Sequence, residues 1–303
     1  MPAFDLPEED VLRTQLRYMI KYVWGVKLFE VDIIRWLDNF TGRVFTPAEE
    51  RQYALLLLCN FVYYNQDEVR HLCNNAFKKY IHELLDTQTN FIKRSFNNQI
   101  VDIIQKTAFI PLGSPSESGY LISYYFRQSN GLSAAFFKYD NTKIDTEIKY
   151  AVYLDDNTIT GRQLIKYLKE EKQYWHNDLK VFIVTLVSSR DVEELLSNEG
   201  CRLISAIYLD ERSKCFSTES SIFHNFEQHR ERVKKFASEY GEFLAPGKKL
   251  GYEGSEALFG FHYNTPDNCL PIIWSEKDSW YPIFKRFSKY IKVETRHELG
   301  PYV

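Results

Sequence analysis

The sequence has 303 residues, enough for one large domain or two ordinary ones at roughly 150 residues each. Lys and Arg number 38 against 41 Asp and Glu, a formal net charge of −3. That balance argues against a protein held on nucleic acid by its overall charge and leaves only a local basic patch open. Apolar residues at 44% and charged residues at 26% exclude a disordered chain, and 22 Phe, 21 Tyr and 5 Trp can build a core or stack on flat ligands.

The first ten residues carry Asp5, Glu8, Glu9 and Asp10 and no base, the opposite of a secretory signal. The longest apolar stretch, Tyr53 to Tyr64, contains Asn60 and is too short to span a bilayer. A cytoplasmic protein without a membrane segment is expected. Cys59, Cys73, Cys201, Cys215 and Cys269 are scattered, with no Cys-x-x-Cys and no His-x-x-x-His. Reduced, buried thiols are therefore expected in place of zinc or a disulfide framework.

Residues 1–95 read as a helical region. Leu28, Val31, Ile34 and Leu37 recur at spacings of three. Thr46-Pro47-Ala48-Glu49 has the form of an N-cap, a proline at N1 and an acid at N3, and the run to Tyr64 is expected to continue as a buried helix. Asn65-Gln66-Asp67 opens another, with Val69, Leu72, Phe77 and Ile81 inward. The pattern changes near Ile100. Short apolar runs at Phe109–Leu112, Ala134–Phe137, Tyr150–Leu154, Val181–Val187 and Leu203–Leu209 alternate with helical stretches after Gly119, over Thr160–Lys172 and over Asp191–Ser197. Short apolar strands alternating with helices predict an α/β fold with a doubly wound, mostly parallel sheet, here assigned to residues 96–214. Residues 215–303 hold a helix expected over Ile222–Tyr240, with His224 and His229 on it, and then irregular sequence. That tail includes a basic stripe of Lys285, Arg286, Lys289, Lys292 and Arg296.

In such a sheet ligands bind outside the carboxyl ends of the strands, and two strand ends carry unusual loops. In Leu154-Asp-Asp-Asn-Thr-Ile-Thr-Gly-Arg-Gln163 a buried strand delivers two adjacent carboxylates, then a short Thr/Gly loop, then a helix. Loop N–H groups and a helix N-terminus cradle an anion, Thr158 and Thr160 add hydroxyl donors, and Asp155 and Asp156 can accept from sugar hydroxyls. The arrangement suits a phosphorylated sugar. The second loop, Gly113-Ser-Pro-Ser-Glu-Ser-Gly119, is rich in small residues; its Glu117 can coordinate Mg²⁺ or act as a general base, with Arg127 following. No Gly-x-Ser-x-Gly, P-loop or Gly-x-Gly-x-x-Gly occurs.

The first loop resembles the phosphoribosyl-pyrophosphate loop of type I phosphoribosyltransferases. The resemblance implies that Asp155 and Asp156 hold the ribose hydroxyls and that Thr158, Ile159, Thr160, Gly161, Arg162 and Gln163 wrap the 5-phosphate. The chain departs from that pattern at Gln163, where a small hydroxyl residue is usual, and at Asn157, where an apolar one is. By position, Ser114, Ser116, Ser118 and Arg127 would serve a pyrophosphate or leaving group. Tyr263, Asn264, Asn268 and Trp274 would form a hood over the base. Both loops, together with Thr185-Leu-Val-Ser-Ser189, Cys215-Phe-Ser217, Leu250-Gly-Tyr252 and Tyr263-Asn-Thr-Pro-Asp-Asn-Cys-Leu-Pro-Ile-Ile-Trp274, resemble phosphoribosyltransferase-like proteins of bacterial conflict systems that accompany retron reverse transcriptases. The resemblance runs from about Ile33 to Arg286. It implies an anti-phage effector that binds phosphoribosyl pyrophosphate or a nucleotide and makes or breaks an N-glycosidic bond. Mg²⁺ would be bound at Asp155 and Asp156 through the ligand. A reverse transcriptase or other regulator, with associated nucleic acid, would hold the effector in check. A catalytically inactive nucleotide sensor or scaffold subunit is the alternative.

Overall fold

The computed structural model describes residues 5–86, 96–139 and 142–287; Lys289, Lys292 and Arg296 of the basic stripe lie outside them. The chain opens with α1 (Glu9–Tyr18), a π-helical turn (Met19–Trp24), α2 (Glu30–Leu37) and α3 (Pro47–Cys59). The N-terminus of α3 is the expected capping box. Glu49 N–H donates to Thr46 Oγ1, Thr46 N–H donates to Glu49 Oε2, and Pro47 occupies N1, where its missing donor costs nothing.

The helix does not continue to Tyr64. It stops at Cys59, where Asn60 turns the chain and its Nδ2 caps the Leu56 carbonyl. Val62–Tyr64 then forms β1, paired in parallel with β6 (Phe259–Phe261) nearly two hundred residues later. Aromatic contacts decide this against helix: the Phe61 ring stacks on Phe284 at 4.7 Å and the Tyr64 ring on Phe261 at 5.4 Å.

After α4 (Gln66–Asp86) and α5 (Phe96–Gln105) come β2 (Thr107–Pro111), α6 (Ser118–Ser129), β3 (Tyr150–Thr158), α7 (Arg162–Glu171), β4 (Lys180–Ser189), α8 (Asp191–Asn198) and β5 (Cys201–Leu209). These strands form a parallel sheet in the order β2-β3-β4-β5. The Ala134–Phe137 run is not a full strand. It is a 3₁₀ turn whose last residue bridges Phe109 in parallel on the free side of β2, with Lys138 N–H donating to the Phe109 carbonyl. The chain thus leaves β2 through α6 toward one side and returns to β3 on the other. The connection touches the free side of β2 at Phe137 before it crosses to β3, so the chain parts to opposite sides between β2 and β3, the kind of crevice where α/β sheets bind ligands. α4, α5 and α6 cover one face of the sheet, with Tyr80, Ile103 and Phe126 inward. α7 and α8 cover the other, with Leu164, Leu168, Val192 and Leu196 inward.

The remaining elements are α9 (Glu227–Leu244), β6 and α10 (Pro271–Trp274). α9 starts five residues later than expected, which leaves His224 in the preceding turn. The two ends of the chain share one core. Leu12, Trp36, Phe40 and Leu57 pack with Phe236, Tyr240, Ile272 and Trp280, and Trp36 Nε1–H donates to the Ile272 carbonyl at 2.8 Å. Within it, fully buried Glu50 accepts from the backbone N–H of Gly42, Val44 and Phe45 and from the Tyr240 hydroxyl, at 2.6–3.0 Å. One carboxylate therefore ties the loop before α3 to α9. The five cysteines are buried and unbridged. No helix among the described residues is long and apolar enough to cross a membrane.

Candidate functional site

At the carboxyl ends of β2 and β3 lies a cavity of about 640 Å³, within the range that holds a small ligand. Asp155 and Asp156 stand at its floor because β3 continues beyond its last buried apolar residue, Leu154, as far as Thr158. Asp155 Oδ1 accepts from Ser118 Oγ–H at 3.0 Å and from the Asp156 backbone N–H at 2.9 Å. Asp156 Oδ1 accepts from the backbone N–H and side-chain Nδ2–H of Asn157, and its Oδ2 from the Tyr263 hydroxyl at 3.2 Å. Burial and the adjacent Asp156 charge push the Asp155 carboxyl well above the usual carboxylate range, against the pull of its hydrogen bonds. Burial likewise raises Asp156, whose bonds from Ser118, Asn157 and Tyr263 offset part of the shift. Burial and the two carboxylates hold the Tyr263 phenol well above its ordinary value, so it stays a donor.

Two helix N-termini face this floor. Gly161 is the N-cap of α7 with φ at 73°, the left-handed turn that lets the loop leave β3 and enter the helix at once. Thr158, Ile159, Thr160, Gly161 and Gln163 line the cavity, while Arg162 does not. Its guanidinium turns outward to Glu253 at 2.8 Å, tying the loop to the chain's C-terminal part. The glycine has a second task. A Cβ there would press on Val192 of α8 at 3.1 Å, so its small size serves packing between the helices and not the room for an anion. On the other side, α6 begins at Ser118. Ser116, Glu117 and Ser118 line the cavity; Ser114 lies outside the lining and its hydroxyl is paired with that of Ser116 at 3.2 Å. Arg127 is also outside, because it sits nine residues along α6, about 13 Å from the helix start. Tyr167 of α7 lines the wall between the two loops, a residue that its ordinary amphipathic position gave no reason to single out.

The hood differs most from expectation. Asn264 and Asn268 line the cavity, whereas Tyr263 and Trp274 do not. Tyr263 lies beneath the floor, its ring stacked on Phe261 at 5.4 Å, where it supports Asp156. Trp274 donates its indole N–H to the Cys269 carbonyl and packs in the chain-end core. From the C-terminal part of the chain the aromatic residues that line the cavity are Tyr252 and Phe287, the latter 64% exposed. Asp267 and Arg286 complete that wall. Asp267 Oδ2 pairs with Lys248 at 2.9 Å and with Arg286 at 3.5 Å, and Asn264 Oδ1 accepts from the Phe287 backbone N–H. In the sequence Arg286 stands out only as part of a basic stripe.

Among the described residues no group of three or more His, Cys, Asp or Glu side chains comes together as a metal site. The PRTase-CE family model matches residues 33–286, more than four fifths of the chain. Among solved structures, orotate phosphoribosyltransferase from Aeropyrum pernix aligns at 20% identity over 35% of this chain and 61% of that one, with a TM-score of 0.26. The AQ2163 protein from Aquifex aeolicus aligns at 12% identity over 66% and 96%, with a TM-score of 0.29. The chain thus spans about three fifths of the length of the first of these. No curated protein matches it.

Proposed function

The chain belongs to the PRTase-CE family, with a phosphoribosyltransferase-like fold, and from that premise we propose that its cavity binds a ribose 5-phosphate unit and that the protein makes or breaks the N-glycosidic bond at C1′. One observation carries the reading: the carboxylate pair near the end of β3 lies between the cavity-lining loop that caps α7 and the start of α6, at the carboxyl ends of the adjacent strands β2 and β3. The N–H groups at the start of α7, with the Thr158 and Thr160 hydroxyls, donate to the 5-phosphate. Asp155 accepts from the ribose hydroxyls through the oxygen that Ser118 leaves open. Asp156, held by Asn157 and Tyr263, fixes the direction of approach. As the C1′–N bond lengthens, positive charge grows on the sugar, and two carboxylates already in place stabilise it without reorganising. Asn264, Asn268 and the rings of Tyr252 and Phe287 receive the base.

Mg²⁺ fits this donor set as an ion brought in by the ligand. Asp155 and Asp156 would hold it chiefly through the ribose oxygens they orient, since among the described residues no group of three or more His, Cys, Asp or Glu comes together. Bound there, it supplies positive charge to ribose and phosphate oxygens. The phrases shared with conflict-system effectors extend the proposal. The reaction would act on the cell's nucleotide pool as an anti-phage response, released by protein partners such as a reverse transcriptase with its nucleic acid. Gln163, which lines the phosphate loop where a hydroxyl is usual, favours a second reading: a sensor that binds the same ligand without turnover.

Purified protein incubated with Mg²⁺ and either nucleoside monophosphates or phosphoribosyl pyrophosphate plus free bases, followed by chromatography, tests this. Free base or a new ribosylated product, absent with Asp156→Asn, is expected. Binding without product selects the sensor. Neither binding nor product overturns the assignment of the cavity.

A further inference from the structure

Resting on that reading of the cavity, we infer that the base it receives is guanine, read by Asn264, Asp267 and Asn268.

These residues stand on a short segment between β6 and α10 that its own backbone holds in place. Phe261 and Asn264 bridge as an antiparallel pair, and the Asp267 carbonyl accepts from the Tyr252 N–H at 2.7 Å. The Asn268 carbonyl accepts from the Ala257 N–H and from the Ser255 hydroxyl. Side chains on such a segment lose little freedom when a ligand arrives.

The protein's own hydrogen bonds fix which polar atoms are left over. Asn264 Oδ1 accepts from the Phe287 N–H at 2.9 Å, so its Nδ2–H₂ remains as a donor. Asp267 Oδ2 pairs with Lys248 at 2.9 Å and with Arg286 at 3.5 Å, so Oδ1 remains as an acceptor. Ser255 gives its one hydroxyl proton to the Asn268 carbonyl at 2.7 Å and can only accept from the Asn268 side chain. That turns Asn268 Nδ2 toward Ser255 and leaves Oδ1 as a second acceptor. Among the described residues the buried side-chain atoms that lack a partner are Arg51 Nε, Ser129 Oγ and His262 Nδ1. None of the three atoms on this segment is among them, so each reaches open space, on a residue that lines the cavity.

One donor and two acceptors, one of them a carboxylate, complement the guanine edge, where O6 accepts and both N1–H and the 2-amino group donate. Adenine offers one donor and one acceptor on that edge, and cytosine and uracil each offer one donor and two acceptors. Each of these three leaves a wall acceptor without a proton, and an acceptor stripped of water and left unpaired costs affinity. The Tyr252 and Phe287 rings stack on any flat base, so the choice falls to the polar atoms.

Titration calorimetry on the full chain with Mg²⁺ tests this, using ribose 5-phosphate and the 5′-monophosphates of guanosine, inosine and adenosine. Asp267→Asn and Lys248→Met are measured beside the wild type, and thermal melting shows that each is folded. The wild type is expected to bind the guanosine nucleotide about tenfold or more tighter than the adenosine one, with the inosine nucleotide, which lacks the 2-amino group, between them. Asp267→Asn is expected to reduce that preference about tenfold. Lys248→Met, which removes a counter-ion and leaves the acceptor, is expected to keep it. Equal binding of the guanosine and adenosine nucleotides by the wild type overturns the inference, as does a preference that a folded Asp267→Asn protein retains. A Lys248→Met protein that loses the preference as fully as Asp267→Asn does would make Asp267 a strut of the wall and overturn it too. In all of these cases ribose 5-phosphate still binds; failure of ribose 5-phosphate itself to bind the wild type removes the underlying reading of the cavity.

Discussion

Tyr263→Phe is the most economical probe of the acid pair, because it removes one hydroxyl and nothing else. The ring stays stacked on Phe261, nearly parallel at 5°, so packing is kept. What is lost is the O–H that donates to Asp156 Oδ2 at 3.2 Å. A hydrogen bond to a charged group contributes about 1.5–3 kcal/mol. A distance of 3.2 Å is long for O–H···O, which places this one near 1.5 kcal/mol, or about tenfold in a binding constant. The same bond lowers the Asp156 pKa, so without it that carboxyl rises further. Sugar hydroxyls bind the ionised form, so ribose 5-phosphate affinity should increase with pH through the titration of the pair. Calorimetry as a function of pH is expected to show the variant binding about tenfold more weakly at neutral pH, with its rise displaced to higher pH. Equal affinity and an unmoved pH profile in a folded Tyr263→Phe protein would refute the claim that Tyr263 holds Asp156 for the ligand.

Asp155→Asn should stabilise the fold at neutral pH while abolishing ribose binding. The folded pKa is raised, so as pH rises the unfolded chain ionises first and wild-type stability falls. Urea denaturation should find the variant's advantage at pH 7 and none well below the unfolded carboxyl pKa of 3.8, where both states are protonated. Glu50→Ala should cost about 3 kcal/mol, because three backbone N–H groups and the Tyr240 hydroxyl lose their acceptor, and a loss under 1 kcal/mol would contradict the tie. Burial raises the Glu50 pKa but its hydrogen bonds outweigh burial and lower it. Its contribution should therefore be present above the unfolded carboxyl pKa and disappear as pH falls through the folded one. Gly161→Val should destabilise by about 2 kcal/mol through the left-handed backbone and the contact with Val192. A melting temperature equal to wild type would show that the turn tolerates a branched side chain.

The shape of the loop from β3 into α7 was legible because it is local. An apolar strand, two acids, two threonines and a glycine follow one another along fourteen residues, and the strand, the left-handed turn and the helix start all lie within that span. The parallel sheet was legible for the same reason, from short apolar runs between amphipathic helices. At Phe137 a single bridge to Phe109 leaves the same apolar signature in the sequence as a strand. Val62–Tyr64 was hidden because its partner, Phe259–Phe261, is distant in sequence, and an apolar run adjoining a helix carries no mark of where the helix stops. The hood was the least legible part. Which of Tyr252, Tyr263, Trp274 and Phe287 faces the cavity depends on how the two chain ends fold into one core, and aromatic residues of either role look alike in a sequence. Arg162 shows the same limit: its position in the loop suits a phosphate, and only the placement of Glu253 draws it away.

A crystal structure of the protein with ribose 5-phosphate tests the central claim most directly. The account predicts the phosphate against the N–H groups and threonine hydroxyls of residues 158–163, with the ribose hydroxyls on Asp155 and Asp156. A phosphate seated in the Gly113–Ser118 loop, or a sugar that leaves both carboxylates untouched, would contradict it.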